Sequence, residues 1–342
     1  LPPGSRSPIR DYHFTLLSPR HRREVHMISK YVFGPVPSRR FGSSLGVNPL
    51  PRKTCNYSCI YCQLGRTSRL QTERKVFFDT AAVVEDVRRA VESAEGNIDY
   101  ITFMGDGEPT LAKNLGDMAL GVREFWTGKM ALITNGSLFH LDQVRQDASP
   151  FDVVSPTISA GDERTFRRLH RPPRSLNAEM VLDGLERLRR EHRGEVWAEM
   201  MLVSGVNDTL PSLLSIRKAV RRIAPERLYV AVPTRPPAES WVLPPDKGSL
   251  QQVFELFPEA VDMTEPEQGP FLRNEEEREA ELLEIAKNHP LREDQAYEIL
   301  SMSLGLEGAR DSILRLVAEG RLKATTYSGR TYYSVPIDDE RG

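Results

Sequence analysis

All three cysteines of this 342-residue chain lie within eight residues, Cys55-Asn56-Tyr57-Ser58-Cys59-Ile60-Tyr61-Cys62. The spacing is C-x-x-x-C-x-x-C. Thiolates are soft ligands that suit zinc and iron–sulfur clusters. Three of them on one short loop can hold three corners of a [4Fe–4S] cube, whose full protein ligation takes four, so the fourth iron would stay open. A structural zinc site usually wants four ligands. No fourth cysteine exists, and none of the seven histidines is near the motif in sequence. A disulfide framework fits poorly with an odd count. Inert buried thiols are the usual reading of scattered cysteines, and these are not scattered.

A second group of polar residues could do chemistry. Gly105-Asp106-Gly107-Glu108-Pro109-Thr110 places two glycines beside carboxylates. Glycine lets backbone approach a ligand closely, and a carboxylate can pair with an ammonium group. Taken alone, it is also an ordinary Gly-Pro loop. Thr134-Asn135-Gly136 offers an amide suited to hydroxyls and carboxylates, and is equally a simple Asn-Gly turn. Arg168 and Arg171 are candidate carboxylate or phosphate contacts. Arg39, Arg40, Arg52 and Lys53 bracket the segment leading to the cysteines. They read either as a phosphate-contacting rim or as loop surface charge.

These residues need elements to hold them. Short apolar stretches at 44–50, 98–103, 130–134, 152–159, 196–203 and 227–232 read as strands. Helical text lies between them, for example residues 80–94 with Val83, Val84, Val87 and Val91 at helical spacing. Strand and helix alternate six times, which predicts a parallel α/β sheet covered by helices. Each polar cluster follows a strand, at the edge that carries the chemistry in such folds. Residues 31–42 read as loop, with turn residues every few positions.

The cysteine spacing, followed by the strand-end elements, resembles the radical S-adenosylmethionine (SAM) superfamily. That resemblance implies a partial (βα)6 TIM-like barrel, a [4Fe–4S] cluster on Cys55, Cys59 and Cys62, and SAM chelated at the open iron. Reductive cleavage of SAM to a 5′-deoxyadenosyl radical would follow, with a flavodoxin- or ferredoxin-like protein as electron donor. Gly105, Asp106, Gly107 and Glu108 resemble the Gly-Gly-Glu-Pro element that binds the SAM amino group, with Asp106 interposed. Thr134 and Asn135 resemble the element near the ribose and methionine of SAM. Ser159 stands where related sequences often carry Asp, and it is followed by a run to Arg171 that fits the pattern. Glu199 and Asn207-Asp208 are further candidate contacts to adenosine or substrate. The run from Phe33 to Thr67, together with Gly105 to Thr110 and Arg235-Pro236-Pro237, is similar to a wyosine-synthase-like group of Fe–S oxidoreductases, over roughly residues 31–245. The named member of that group rebuilds a tRNA guanosine and carries a second cysteine-bound cluster. No cysteine is left here for one, so only SAM cleavage carries over.

The net charge of −2 excludes a globally basic nucleic-acid binder, although residues 1–54 hold ten Lys/Arg against Asp11 and Glu24. No apolar run approaches the length of a membrane span. Low cysteine usage and the lack of a signal-peptide pattern predict a cytoplasmic protein. Residues 1–26 read as a disordered basic leader with Met27 a candidate start, residues 27–262 as the barrel, and residues 263–342 as a small winged-helix-like domain. In that last part, three helical stretches precede a hairpin at Ser328-Gly329. Arg310, Arg315, Arg321, Lys323 and Arg330 give its end a basic face that would suit nucleic acid. Two functions follow: radical chemistry on an RNA base, with tRNA as partner, or the same chemistry on a small molecule, peptide or protein, with the last domain docking a partner.

Overall fold

The computed structural model describes residues 30–67, 70–94, 96–265 and 278–336. The leader expected over residues 1–26 and the candidate start at Met27 lie outside the described residues. One sheet of eight strands dominates, with the strands in chain order from edge to edge. They are β1 (Val32–Ser38), β2 (Gly42–Val47), β3 (Tyr100–Phe103), β4 (Lys129–Thr134), β5 (Val153–Pro156), β6 (Glu195–Met201), β7 (Arg227–Ala231) and β8 (Val261–Met263). β2 to β8 are mutually parallel, and β1 turns back antiparallel to β2. The sheet curls without closing, as the partial barrel expected from the sequence.

The six expected strands are β2 to β7. Two more were hidden. β1 comes from text that read as loop, because Gly34, Pro35 and Pro37 interrupt it. Proline is tolerated on an edge strand, and a register shift between Phe33 and Val36 absorbs the irregularity. β8 is only three residues long, and the expected boundary after residue 262 falls inside it.

Helices α1 (Thr80–Ser93), α2 (Leu115–Arg123), α3 (Asp142–Asp147), α4 (Glu163–His170), α5 (Ala178–Glu191), α6 (Leu210–Ile223) and α7 (Lys247–Leu256) accompany the strands. Side chains of a strand alternate between faces. Met130, Leu132, Val154, Val196, Ala198, Leu228 and Val230 join the main core with residues of the helices. Val83 and Val87 of α1 are fully buried in it, each worth about 1.5–3 kcal/mol over exposure. Their alternates Ala131, Val153, Trp197, Tyr229 and Ala231 form a separate cluster with Phe41 and Met263, which fills one end of the barrel interior. Side-chain caps fix the helix starts: Asp79, Asp162 and Asn177 accept from Ala82 N, Thr165 N and Met180 N, each at 2.9 Å.

The C-terminal unit contains α8 (Arg278–Asn288), β9 (Leu291–Arg292), α9 (Glu293–Ala318), β10 (Lys323–Tyr327) and β11 (Arg330–Ser334). The sheet order is β10-β11-β9. α9 is broken at Gly305, whose φ of 67° and ψ of 173° are not helical, so it is two helices end to end. Leu282, Ile285, Leu300, Ile313 and Leu316 are among its core residues. The unit is tied to the loop after β7: the Tyr332 hydroxyl donates to Thr234 O (2.6 Å) and the Tyr327 hydroxyl to Pro233 O (3.3 Å).

Candidate active site

The cysteine loop leaves β2 at its C-terminal end and is held from three sides. Ser58 N and Ile60 N donate to His170 O and Leu169 O, both at 3.0 Å, so the end of α4 carries the loop's middle. Glu239 N donates to Ile60 O at 3.1 Å from the loop after β7. The Asn56 amide donates to Ser137 Oγ (2.7 Å) and accepts from Asn135 Nδ2 (2.8 Å) at the end of β4. Asn135 Nδ2 also lies 3.8 Å from Cys55 Sγ. Residues far apart in sequence thus fix the three sulfurs.

The loop after β3 closes on the same segment. Lys53 N donates to Asp106 O (2.5 Å), and Glu108 N to Thr54 O (2.9 Å). A Cβ at Gly107 would stand 1.8 Å from Thr54 O, so no other residue fits there. Asn48 and Asp106 bond reciprocally: Asn48 Nδ2 donates to Asp106 Oδ2 (3.0 Å), and Asp106 N donates to Asn48 Oδ1 (2.9 Å). Burial raises the Asp106 carboxyl to about 6, although Asn48 and Arg52 pull it back.

Cys55, Cys59 and Cys62 all line one cleft of about 380 Å³, together with Lys53, Tyr57, Tyr61, Gly105, Asp106 and Gly107. The cleft runs into the barrel interior, past Ser44, Thr102, Ile133 and Met201, to Arg40 and Glu199. Burial pushes all three thiols up, Cys55 to about 12, with Glu108 adding to the push there. At Cys59 the neighbouring sulfurs add to it, while Lys53 pulls Cys62 back. Sheltered sulfurs that repel one another's charge ionise only beside a cation. A metal cluster fits that demand. Among the described residues no three His, Cys, Asp or Glu side chains converge on one point.

His170 was not singled out from sequence. Its Nδ1 lies 3.4 Å from both Cys59 Sγ and the Tyr61 hydroxyl. Burial lowers its pKa to about 3, so the ring is neutral. Only the fold brings it there, since it lies at the end of α4.

Several expected contacts have other work. Glu108 is buried, and its oxygens accept from Thr110 N (3.0 Å), Thr110 Oγ1 (2.6 Å), Thr134 Oγ1 (2.5 Å) and Asn135 N (2.6 Å). It ties the β3 and β4 ends together instead of facing the cleft. Thr134 is likewise buried. Asn207 is fully buried; its amide donates to Ser159 O (2.9 Å) and Met201 O (2.8 Å) and accepts from Val203 N (2.8 Å). It clasps the end of β6, buried away from the cleft. Ser159 Oγ accepts from Met201 N at 2.9 Å and is buried beneath that clasp. Arg171 pairs with Glu239, which also accepts from Arg66 at 2.7 Å. Arg39 donates to the backbone oxygens of Met263 and Glu265, and Arg40 points inward to Ser155 and Glu199. Arg52 is half-buried, with no acceptor for its Nε among the described residues. Of the C-terminal set, Arg315 and Arg321 converge on Glu279. Arg310, Lys323 and Arg330 are exposed. Of the cations expected to bracket the cysteines, Arg39, Arg40 and Lys53 line the cleft, with Arg39 and Arg40 also bound to partners within the barrel.

Among the described residues no helix is long and apolar enough to cross a membrane.

Residues 51–214 match the family model described as the radical SAM superfamily. A UPF0026 protein of Methanocaldococcus jannaschii is 35% identical over 311 residues, covering 88% of this chain and 94% of that one. A protein named GTPase Obg from Brachyspira hyodysenteriae is 29% identical over 326 residues. That match covers 94% of this chain and 48% of the other, so the chain spans about half its length. Among solved structures, a radical SAM methyltransferase from Sphaerobacter thermophilus superposes with a TM-score of 0.47 at 17% identity, over 66% of this chain and 67% of that one.

Proposed function

Because this chain belongs to the UPF0026 family within the radical SAM superfamily, we propose that its cleft is where SAM is cleaved and where an RNA base meets the resulting radical. The family's enzymes use a [4Fe–4S] cluster and SAM. Once bound and reduced by an external electron donor, the cluster would supply one electron to the sulfonium of SAM, breaking its S–C5′ bond to give methionine and a 5′-deoxyadenosyl radical.

One observation carries the reading: the three cysteines and the β3 loop open on a single cleft. In it Cys55, Cys59 and Cys62 would hold three irons of the cluster. Asn135 orients the first cysteine through Asn56. Gly105 and Gly107 bring backbone oxygens to the SAM ammonium, and Asp106 supplies the charge that Glu108 cannot. Lys53 faces the same space with a cation. A base would have to leave its stack to enter this cleft. The C-terminal unit reads as a winged helix, helix–strand–helix–helix–hairpin, and Arg310, Lys323 and Arg330 offer it phosphate contacts.

Anaerobic reconstitution should load about four irons per chain, as one such cluster requires, and reductant should then release 5′-deoxyadenosine. The triple Ala variant of the cysteines should do neither. Zinc without iron would overturn the reading. For the substrate, tRNA nucleosides of a deletion strain and its parent are compared by mass spectrometry. One nucleoside should differ, and tRNA binding should weaken with salt. If neither holds, a small-molecule or peptide substrate replaces RNA. One feature favours that second reading: Arg315 and Arg321 are neutralised by Glu279, while Met302, Leu304 and Leu306 stand exposed nearby, as on a protein-docking face.

A further inference from the structure

The barrel interior holds an ion pair that the cluster and SAM do not explain. Arg40 enters from the β1–β2 turn. Its Nη1 donates to Ser155 Oγ (2.8 Å) and lies 3.1 Å from Glu199 Oε2. Ser155 Oγ in turn donates to Trp197 O at 2.7 Å. The two charged side chains are 12% and 18% exposed, and both line the cleft. Beside them the interior is filled by Phe41, Trp197 and Tyr229, the apolar filling expected of a barrel. A buried ion pair is often no more stabilising than such filling. This pair is also only half used. Among the described residues nothing accepts from Arg40 Nε or Nη2, and nothing donates to Glu199 Oε1. The pair faces the same space as the cysteines, and the Glu199 charge acts on Tyr61 of the cysteine loop.

We propose that Arg40 and Glu199 together read a cyclic amide edge, a ring carbonyl beside a ring N–H, on the molecule that enters the barrel. The guanidinium can only donate and the carboxylate can only accept. A carbonyl therefore meets Arg40, and the adjacent N–H meets Glu199 Oε1. Both hydrogen bonds are charge-assisted, the strong kind. Among nucleobases guanine and uracil carry this edge. Adenine and cytosine offer a less acidic amino group in place of the ring N–H. The inference rests on the proposed RNA-base substrate and narrows it.

Free nucleosides are the probes, bound to cluster-loaded protein in equilibrium dialysis without reductant. Guanosine and uridine should bind more tightly than adenosine and cytidine. Methylation of the ring nitrogen removes the donor, so 1-methylguanosine should bind at least about ten-fold more weakly than guanosine. Glu199→Gln should abolish that difference, with iron content and thermal midpoint checked against the parent. Equal binding of guanosine and 1-methylguanosine would overturn the inference. So would no nucleoside binding, or a preference that survives Glu199→Gln in a folded protein. If the variant does not fold, the guanosine comparison on the parent still decides. Dialysis needs no turnover. Failure to release 5′-deoxyadenosine would sink the radical reading and leave the edge preference as a separate result.

Discussion

A carboxylate whose oxygens meet only donors has no good amide substitute. Glu108 is in that position, with backbone N–H groups of Thr110 and Asn135 and hydroxyls of Thr110 and Thr134 around it. In Glu108→Gln the new NH2 must face one of these donors. We expect a loss of about 1–3 kcal/mol, the usual cost of a buried unsatisfied group, seen as a lower thermal midpoint in the cluster-free protein. An unchanged midpoint would show that Glu108 is not the tie between the β3 and β4 ends. The sequence made Glu108 legible as a site residue because it follows Gly105-Asp106-Gly107. It could not show which way the side chain turns, because Thr134 and Asn135 lie on another strand. Asn207 poses the same difficulty: an amide after a strand looks the same whether it binds a ligand or, as its side chain does here, its own backbone.

Between elements, the cysteine loop and the loop after β7 meet at Glu239, which holds Arg66 and Arg171. The Arg66 guanidinium, and behind it Arg171, hold this carboxyl down at about 2, against burial that would raise it. A depressed carboxyl stabilises the fold fully above its ordinary value of 4.5 and loses that contribution as pH falls towards about 2. Glu239→Gln should therefore lower the thermal midpoint at neutral pH, and the gap from the parent should close between those two pH values. A gap that stays constant across the range would show that the ion pairs contribute nothing. This clamp was out of reach of the sequence, since its partners come from three segments. The elements themselves were mostly legible. β2 to β7 declared themselves by short apolar runs, each followed by polar residues. β1 did not, because Pro35 and Pro37 are turn residues until an edge position excuses them. β8 did not, because Val261–Met263 is too short for any period to show.

For the molecule as a whole, two tyrosines set how the C-terminal unit is carried. Replacing Tyr327 and Tyr332 by Phe removes hydroxyl contacts to Pro233 and Thr234, at about 1 kcal/mol per bond. Amide exchange should then rise in β9 to β11 while reductant-driven SAM cleavage stays at the parent level. Equal exchange would mean the unit is held by packing alone. At the opposite edge the barrel is open, because β1 and β8 are not paired. Arg39 spans the gap from the β1–β2 turn to the carbonyls of Met263 and Glu265. Neither a guanidinium nor a peptide oxygen changes charge over the range a cell meets. The ring thus wears a buckle indifferent to acid, while Glu239 is a latch that acid undoes. Souring the solution would loosen the mouth of the chamber before its girth.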